Sequence, residues 1–390
     1  MPTPTLTLDA REHNFTEDDQ AIAITSVALR GRTLWCGLTG GRHCLVPFDV
    51  DTGGFGQAVD IFPWADDTPQ MVLRKIHNAL NLLDDGRLAI GEGILFGWDG
   101  IPFEMGRLTD NDLMAKRRAA AGAPPLSPQR VAPTDLASFD MRWMAGGRLL
   151  TYAPETGESD VIGKVARFNY VQSMIVNPVT HQGFGHTLGD CHFFVADFNA
   201  RSVEDHGKIS NFAFHNLCIA PDGVLWGAWT DRDQRGKLRV LRYDPAKGYL
   251  ERLPQAFLDD PGPRVQGNVG IDAWLVHSSG AMYFGIAGTG VLYRFDPETF
   301  AVQEIGLIGE GGRVTTLDED DRGRIIYTAG FPLMHVGRYD PSSGRIEDFG
   351  PVSDRYERIY FHGSAYVDDR LYLADTDSGI ATLWEVALPT

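Results

Sequence analysis

Three of the 11 histidines in this 390-residue chain, His77, His215 and His362, stand in one recurring context, each at the head of a short apolar run. Equivalent heads carry Thr25, Asn169 with Tyr170, Asn268 and Arg313, while Lys75 and Asn216 lie beside the first two histidines. Imidazole titrates near neutral pH and can act as acid, base or metal ligand. A phenol such as Tyr170 can exchange a proton if neighbouring cations lower its pKa. Arg313 and Lys75 would make the set locally positive, and a guanidinium grips a carboxylate through two parallel bonds. The set therefore suits a ligand that bears a carboxylate. The plainer reading is hydrated polar lining, and three histidines at equivalent heads weigh against it.

The elements that must position these residues are clearest from Phe214 to Trp229, FHNLCIAPDGVLWGAW. Two apolar runs flank a Pro-Asp-Gly turn at Pro221–Gly223, a strong hairpin signal because glycine accepts the positive φ of the turn. Both runs are too apolar for a sheet with one wet face, which predicts strands buried on both sides. LRVLRY at Leu238, a turn at Asp244–Gly248 and Leu250–Leu253 complete a unit of four strands. The same grammar recurs at a spacing of roughly 40–50 residues, the range of propellers and solenoids. Its third strand ends in FDVDTG at Phe48, YAPETG at Tyr152, YDPAKG at Tyr243, FDPETF at Phe295 and YDPSSG at Tyr339. Seven such units predict an all-β, seven-bladed β-propeller, read as a single domain over residues 1–390. The last unit holds three strands, and Thr5–Leu8 is expected to supply its fourth, closing an otherwise open edge. The second unit carries an insertion at about residues 98–142, with a short helix over Leu113–Ala121 before a Pro-rich loop; loops of this length more often serve as a lid or wall. GLTGGRHCLVPFD from Gly37 aligns with GHTLGDCHFFVAD from Gly185 as an extended turn between second and third strands.

In a propeller the heads of the innermost strands converge on one end of a central channel, where ligands usually bind. Three chemistries could use them. The first is β-elimination on a uronic acid sugar, with His77, Tyr170, His215 and Arg313 as the catalytic set. Lys75, Asn169, Asn216, Asn268 and His362 would then bind substrate. The second is a divalent cation on His77, His215 and His362, left open among Mn, Zn and Ca, with Ni and Fe also compatible with imidazole. Such a metal would serve a hydrolase or lactonase, or would itself acidify the uronate proton. No organic cofactor is implied. The third is a non-catalytic docking surface.

Other residues rank lower. His186, Cys191, His192 and His206, with His43–Cys44 as a counterpart, lack zinc-finger spacing. Glu92 and Asp99 are acids beside glycines, more often turn formers than general acids. Trp98, Trp226 and Trp229 could stack on sugars, but tryptophan in inner strands is more often core. Asp231–Asp233 read as a solvated loop.

A net charge of −17 argues against nucleic acid, whose phosphates need a basic face. The four cysteines, Cys36, Cys44, Cys191 and Cys218, are dispersed and read as buried thiols. No apolar run approaches the ~18 residues of a membrane span. No basic and apolar leader precedes MPTPTLTLDAREHNF, so a cytoplasmic location is expected unless a leader has been removed.

With these residues set out, the chain resembles the seven-bladed propeller polysaccharide lyases, among them the oligogalacturonate, ulvan and rhamnose–glucuronate lyases. The resemblance covers the whole chain as architecture. At motif level it rests on IHNAL at Ile76, FNYVQS at Phe168, GHTLGDCHFFVAD at Gly185 and FHNL at Phe214. It implies elimination by histidine and tyrosine beside an arginine, in some members with a metal held by several histidines. Carried over, that would implicate His77, Tyr170, His215, Arg313 and His362. An acidic oligosaccharide is the implied substrate, and the missing leader would fit an enzyme of imported oligosaccharides.

Overall fold

The computed structural model describes residues 8–17, 21–40, 43–61, 74–94, 111–123, 146–167, 169–188, 190–209, 217–230, 238–258, 270–376 and 378–389. Contacts divide the chain into two compact units. One comprises His13–Lys208 with Ala374–Leu383; the other comprises Met1–Glu12, Ile209–Leu373 and Trp384–Thr390.

The strand that opens the chain is β1 (Asp9–Phe15). In the first sheet β2 (Ala21–Arg30), β3 (Thr33–Gly40), β4 (Leu45–Asp49) and β5 (Gly54–Phe55) follow in order, and β6 (Arg74–Lys75) adds a short pairing to β3. The second sheet takes β7 (Leu80–Leu82) and β8 (Leu88–Gly91); β9 (Gly93–Ile94) returns to β6, and helix α1 (Asn111–Ala120) precedes β10 (Arg148–Ala153) and β11 (Glu158–Lys164). The third runs β12 (Tyr170–Val176), β13 (Gln182–Leu188), β14 (His192–Asp197), β15 (Ser202–Lys208).

The other unit repeats the grammar. Its sheets are β16 (Cys218–Ile219), β17 (Leu225–Trp229), β18 (Leu238–Asp244), β19 (Tyr249–Leu258); β20 (Ile271–Val276), β21 (Met282–Ile286), β22 (Val291–Phe295), β23 (Val302–Leu307); and β24 (Arg313–Glu319), β25 (Ile325–Gly330), β26 (Met334–Asp340), β27 (Arg345–Pro351). The last sheet has β28 (Phe361–Val367), β29 (Arg370–Asp375) and β30 (Ala381–Ala387), with β1 as its fourth strand. The fold is an all-β, seven-bladed β-propeller whose N-terminal strand closes the last blade. Among the described residues that strand is Asp9–Phe15; Leu8 packs in a core cluster just before it, and the expected Thr5–Thr7 lie outside the described residues. Among the described residues no helix is long and apolar enough to cross a membrane.

The core lies between neighbouring sheets. Ala79, Ala89, Leu149, Val171, Met174 and Phe194 form one such cluster, and Tyr283, Leu292, Val314, Ile325 and Tyr327 another. A second-strand glycine repeatedly admits a branched residue from the head of the next blade. A Cβ added to Gly91 would lie 2.6 Å from Val171 Cγ1, and one added to Gly285 would lie 2.3 Å from Val314 Cβ. Any side chain there would push the blades apart, because interiors have no slack for an extra carbon. All four cysteines are buried thiols, as expected.

The helix of the insertion spans Asn111–Ala120, one turn-edge earlier than predicted. Two successive arginines tie it down. Arg117, only 1% exposed, pairs through Nη2 with Asp375 Oδ2 at 2.7 Å, where Asp375 is fully buried. Arg118 donates to the Gly379 carbonyl at 2.8 Å. The helix is thus fixed to the end of β29 and the turn that follows. Removing one partner of a buried ion pair strands the other charge, at a cost of about 3–5 kcal/mol. Asp375→Ala should lower the unfolding free energy by about 3 kcal/mol in urea titration, and Arg117→Met/Asp375→Leu should recover most of that loss. A loss below about 0.5 kcal/mol in the single variant would show that the pair does not anchor the helix.

Candidate functional site

The strand heads singled out in the sequence fall into two groups, one in each unit. In the unit holding His13–Lys208, Ile76–Asn78 is a linker pinned from both sides. Thr25 Oγ1 donates to the Ile76 carbonyl at 2.7 Å, and Met174 N donates to the Asn78 carbonyl at 2.9 Å. Thr25 itself lies inside β2 rather than at its head. Asn78 has a φ of 42°, in the left-handed region that asparagine tolerates better than most residues. This turns His77 onto the third blade, where its Nδ1 is 2.8 Å from the Gln172 carbonyl. A carbonyl only accepts, so Nδ1 carries the proton. His77 is 2% exposed. It serves there as a stitch between blades, and in this conformation a dissolved ligand does not reach it.

Asn169 is equally committed. Its Oδ1 accepts from Thr187 Oγ1 at 2.8 Å and Asp190 N at 2.9 Å, and its Nδ2 donates to the Arg167 carbonyl at 3.1 Å. It clamps the extended turn after β13 that the sequence alignment picked out. Tyr170 is buried, and burial pushes its phenol up, with the Glu92 charge adding and Arg148 opposing. Desolvation outweighs the one nearby guanidinium, so the condition set for proton exchange by this phenol, a lowering by cations, is not met. Glu92, weighed as a turn former, instead accepts Arg148 Nε and Nη2, each at 2.7 Å. The Glu92 carbonyl accepts Val171 N at 3.0 Å, and Gly147 N donates to the Asn169 carbonyl at 2.9 Å. This knot joins the second blade to the third. Lys75, half-buried, pairs by backbone with Thr39 and Gly93.

In the other unit, Arg313 opens β24 after two glycines. Gly312 has a φ of 98°, and a Cβ on it would lie 2.8 Å from the Gly330 carbonyl carbon, so only glycine lets the chain turn into the strand here. The Arg313 guanidinium is buried and meets Asp272 of β20 twice, Nε to Oδ2 at 2.6 Å and Nη2 to Oδ1 at 2.8 Å. Its Cζ lies 4.6 Å from the centroid of the Tyr360 ring. The Tyr360 hydroxyl is 3.0 Å from His362 Nε2, and the two rings meet edge-on with centroids 4.8 Å apart. His362 is half-buried, the most accessible of these groups. The result is an ordered chain, Asp272–Arg313–Tyr360–His362, that ends on the one half-buried residue of the four.

Arg313 is therefore not a bare cation awaiting a carboxylate: Asp272 already holds one edge of its fork. Asp272 and Tyr360 were missed in the sequence. A lone acid in the apolar strand IDAWLV was the available signal for the first, and a tyrosine two residues before His362 for the second. His215, Asn216 and Asn268 lie outside the described residues, as do Asp99, Trp98 and Asp231–Asp233. The proposed metal set of His77, His215 and His362 includes one of these; among the described residues no group of three or more His, Cys, Asp or Glu is placed to hold a metal ion. In the local His/Cys cluster, His192 Nδ1 instead pairs with Asp205 at 2.9 Å, and burial pushes the Cys191 thiol up to about 12.

Further along the same inner strands, Ser364 Oγ donates to Asp318 Oδ2. Burial raises the Asp318 carboxyl to about 6, with the Ser364 bond opposing. A carboxyl whose folded pKa exceeds its unfolded value, about 3.9, favours the fold when protonated, and that contribution fades as pH rises through about 6. Asp318→Asn should therefore stabilise the protein at neutral pH, with the gain vanishing as pH falls to about 4. Denaturant midpoints across that range read it, and a pH-independent difference would refute the assignment.

Comparison with known structures yields chains of the same architecture. Virginiamycin B lyase from Staphylococcus aureus superposes with a TM-score of 0.61 at 11% identity, over 98% of this chain and 100% of that one. A catalytically inactive form of that lyase with quinupristin gives 0.60 at 10% identity, over 98% and 100%. A chain of the mitotic checkpoint complex gives 0.59 at 12%, over 100% of this chain and 94% of that one. Likeness at these identities shows the fold alone. No protein-family profile matches the sequence, and no curated protein does.

Proposed function

We propose that this propeller is carbohydrate-active and cleaves uronic-acid-containing oligosaccharides by β-elimination, with His362 and Tyr360 as the acid–base pair. The carrying observation is the 3.0 Å contact between the Tyr360 hydroxyl and His362 Nε2, with Arg313 beneath the phenol ring. Elimination needs one group to take the proton from C5 of the uronate and one to protonate the departing oxygen at C4. The C5–H electron pair becomes the C4–C5 double bond as the C4–O bond breaks. An imidazole and a phenol in hydrogen-bond contact can pass that proton between them, and the half-buried imidazole is the group a sugar can touch. Arg313 is a positioning residue that acts through Tyr360, held in place by Asp272. The propeller lyase among the solved structures agrees with lyase chemistry on this fold, and the sugar substrate rests on the residues and on the resemblance to polysaccharide lyases. His77, Tyr170, Asn169 and Lys75 are assigned to building the joints between the blades of their own unit.

Oligogalacturonate and glucuronate-containing oligosaccharides, incubated with the protein, should yield an unsaturated uronate detected by its ultraviolet absorbance. His362→Gln and Tyr360→Phe should each lower kcat by about 10²–10⁴-fold, the usual worth of a general acid or base. New reducing ends without unsaturation would mean hydrolysis, and no cleavage of any acidic oligosaccharide would leave the binding reading in its place.

A further inference from the structure

At the end of the inner strands opposite their heads, the turn that joins β20 to β21, His277–Gly280, opens on a histidine where the next blade's turn, Asp320–Gly323, opens on an aspartate. There Asp320 Oδ1 accepts Arg322 N and Arg324 N, each at 2.9 Å, so a carboxylate suffices to cap a turn of this kind. His277 does the same task with Nδ1, which accepts Ser279 N at 3.1 Å. Its other nitrogen, Nε2, donates to the Gly323 carbonyl at 2.9 Å. An amide only donates and a carbonyl only accepts, so the tautomer is fixed: Nε2 carries the proton and Nδ1 is bare. The Ser279 hydroxyl stands 2.7 Å from that bare nitrogen and therefore donates to it. The imidazole is buried and meets Tyr283 edge-on, with centroids 6.1 Å apart, while Ser279 is exposed.

Behind the imidazole lies an acid. Glu319, the last residue of β24, has Oε1 3.4 Å from His277 Nε2. Its carboxylate is held by Ser278, whose N donates to Oε2 at 2.7 Å and whose hydroxyl donates to Oε1. An exposed hydroxyl, a base and an orienting acid thus follow one another across two neighbouring blades, which is the constellation that activates a serine for acyl transfer. When Nδ1 takes the hydroxyl proton it can no longer accept Ser279 N. That amide is then released beside the reacting oxygen, just as negative charge develops on the acyl carbonyl. The amides of Ser278 and Gly280 are spent on Glu319 and on the His277 carbonyl. One amide from the turn gives limited stabilisation of an oxyanion, so the acyl donor must bring a good leaving group of its own.

We propose that Ser279 is a nucleophile activated by His277 and that it accepts acyl groups from activated carboxylic esters. Ser279 Oγ bonds to the acyl carbon and its proton passes to Nδ1. The ester C–O bond breaks, and that proton goes to the departing oxygen. Water then attacks the acyl-serine with the same imidazole as base, releasing the carboxylic acid and restoring the hydroxyl. Glu319 is a positioning residue that acts through His277. The chemistry is independent of the elimination proposed above. Mixed with p-nitrophenyl acetate, the protein should release p-nitrophenolate, and acid-quenched samples should carry an acetyl group on Ser279 by peptide mass spectrometry. Ser279→Ala, a change at an exposed position, should abolish that release. Ser343→Ala should not, since that exposed serine donates to Asp340 at 2.7 Å in place of an imidazole. His277→Gln should slow acylation by about 10²-fold or more. Glu319→Gln should slow it at least about fivefold with the half-saturating ester concentration unchanged. Release that survives Ser279→Ala, acetylation of Ser343 as fast as of Ser279, no acetyl on Ser279 beyond that of denatured protein, a folded His277→Gln acylated at the wild-type rate, or a Glu319→Gln effect that falls on the half-saturating concentration alone would each overturn the proposal. Should His277→Gln fail to fold, the two serine variants decide it.

Discussion

The buried ion pair between Arg313 and Asp272 is the interaction on which the candidate site depends. Both side chains are nearly sealed, at 9% and 4% exposure, and they meet through two parallel bonds. A lone guanidinium in that position would carry a large desolvation penalty, and a lone carboxylate would do the same. Together they are tolerated, and the planar fork then has a fixed orientation. That orientation sets the guanidinium against the Tyr360 ring, and Tyr360 in turn meets His362. Each link constrains the next, so the half-buried His362 is positioned by a charge pair that is itself nearly sealed.

The other unit uses the same device for a different end. Glu92 and Arg148 also form a two-bond pair, but it closes the seam where the chain returns after the insertion. The backbone of Glu92 and Gly147 is stitched to the third blade at Val171 and Asn169. Added carbons at Gly147 would collide with the Glu92 carbonyl at 2.3 Å, so this seam has no room for a side chain. His77 and Tyr170 sit in the finished joint, where burial keeps the phenol protonated and a carbonyl fixes the imidazole tautomer. One arrangement of residue types, histidine and tyrosine near an arginine, thus makes a structural knot in one unit and an accessible chain in the other. What separates them is burial, which depends on packing between blades.

That distinction explains how much was legible in the sequence. Strand grammar depends on local chemistry: Asp-Gly turns and alternation of apolar runs report backbone conformation directly, so the hairpin at Leu217–Trp229 and the strand at Arg313 could be placed from the residues alone. The repeat gave the blade count for the same reason. The strand that pairs with β30, Asp9–Phe15, reads DAREHNF and shows no apolar–polar alternation, so only the pairing itself reveals it. Side-chain partners were another matter. Asp272 lies 41 positions before Arg313, and Glu92 lies 56 before Arg148. No periodicity in the chain links such pairs.

Coupling across the Asp272–Arg313 pair is the most direct test of this account, measured as a double-mutant cycle on the elimination rate. Asp272→Asn, Arg313→Lys and the double variant would be compared by kcat and KM on one acidic oligosaccharide. If the pair acts only by holding Tyr360, each single change lowers kcat with KM nearly constant, and the double loses little more than either, a coupling of roughly 1–3 kcal/mol. Losses that add within about 0.5 kcal/mol, or that fall on KM instead, would show that the two residues act independently and that the chain from Asp272 to His362 does not position the site.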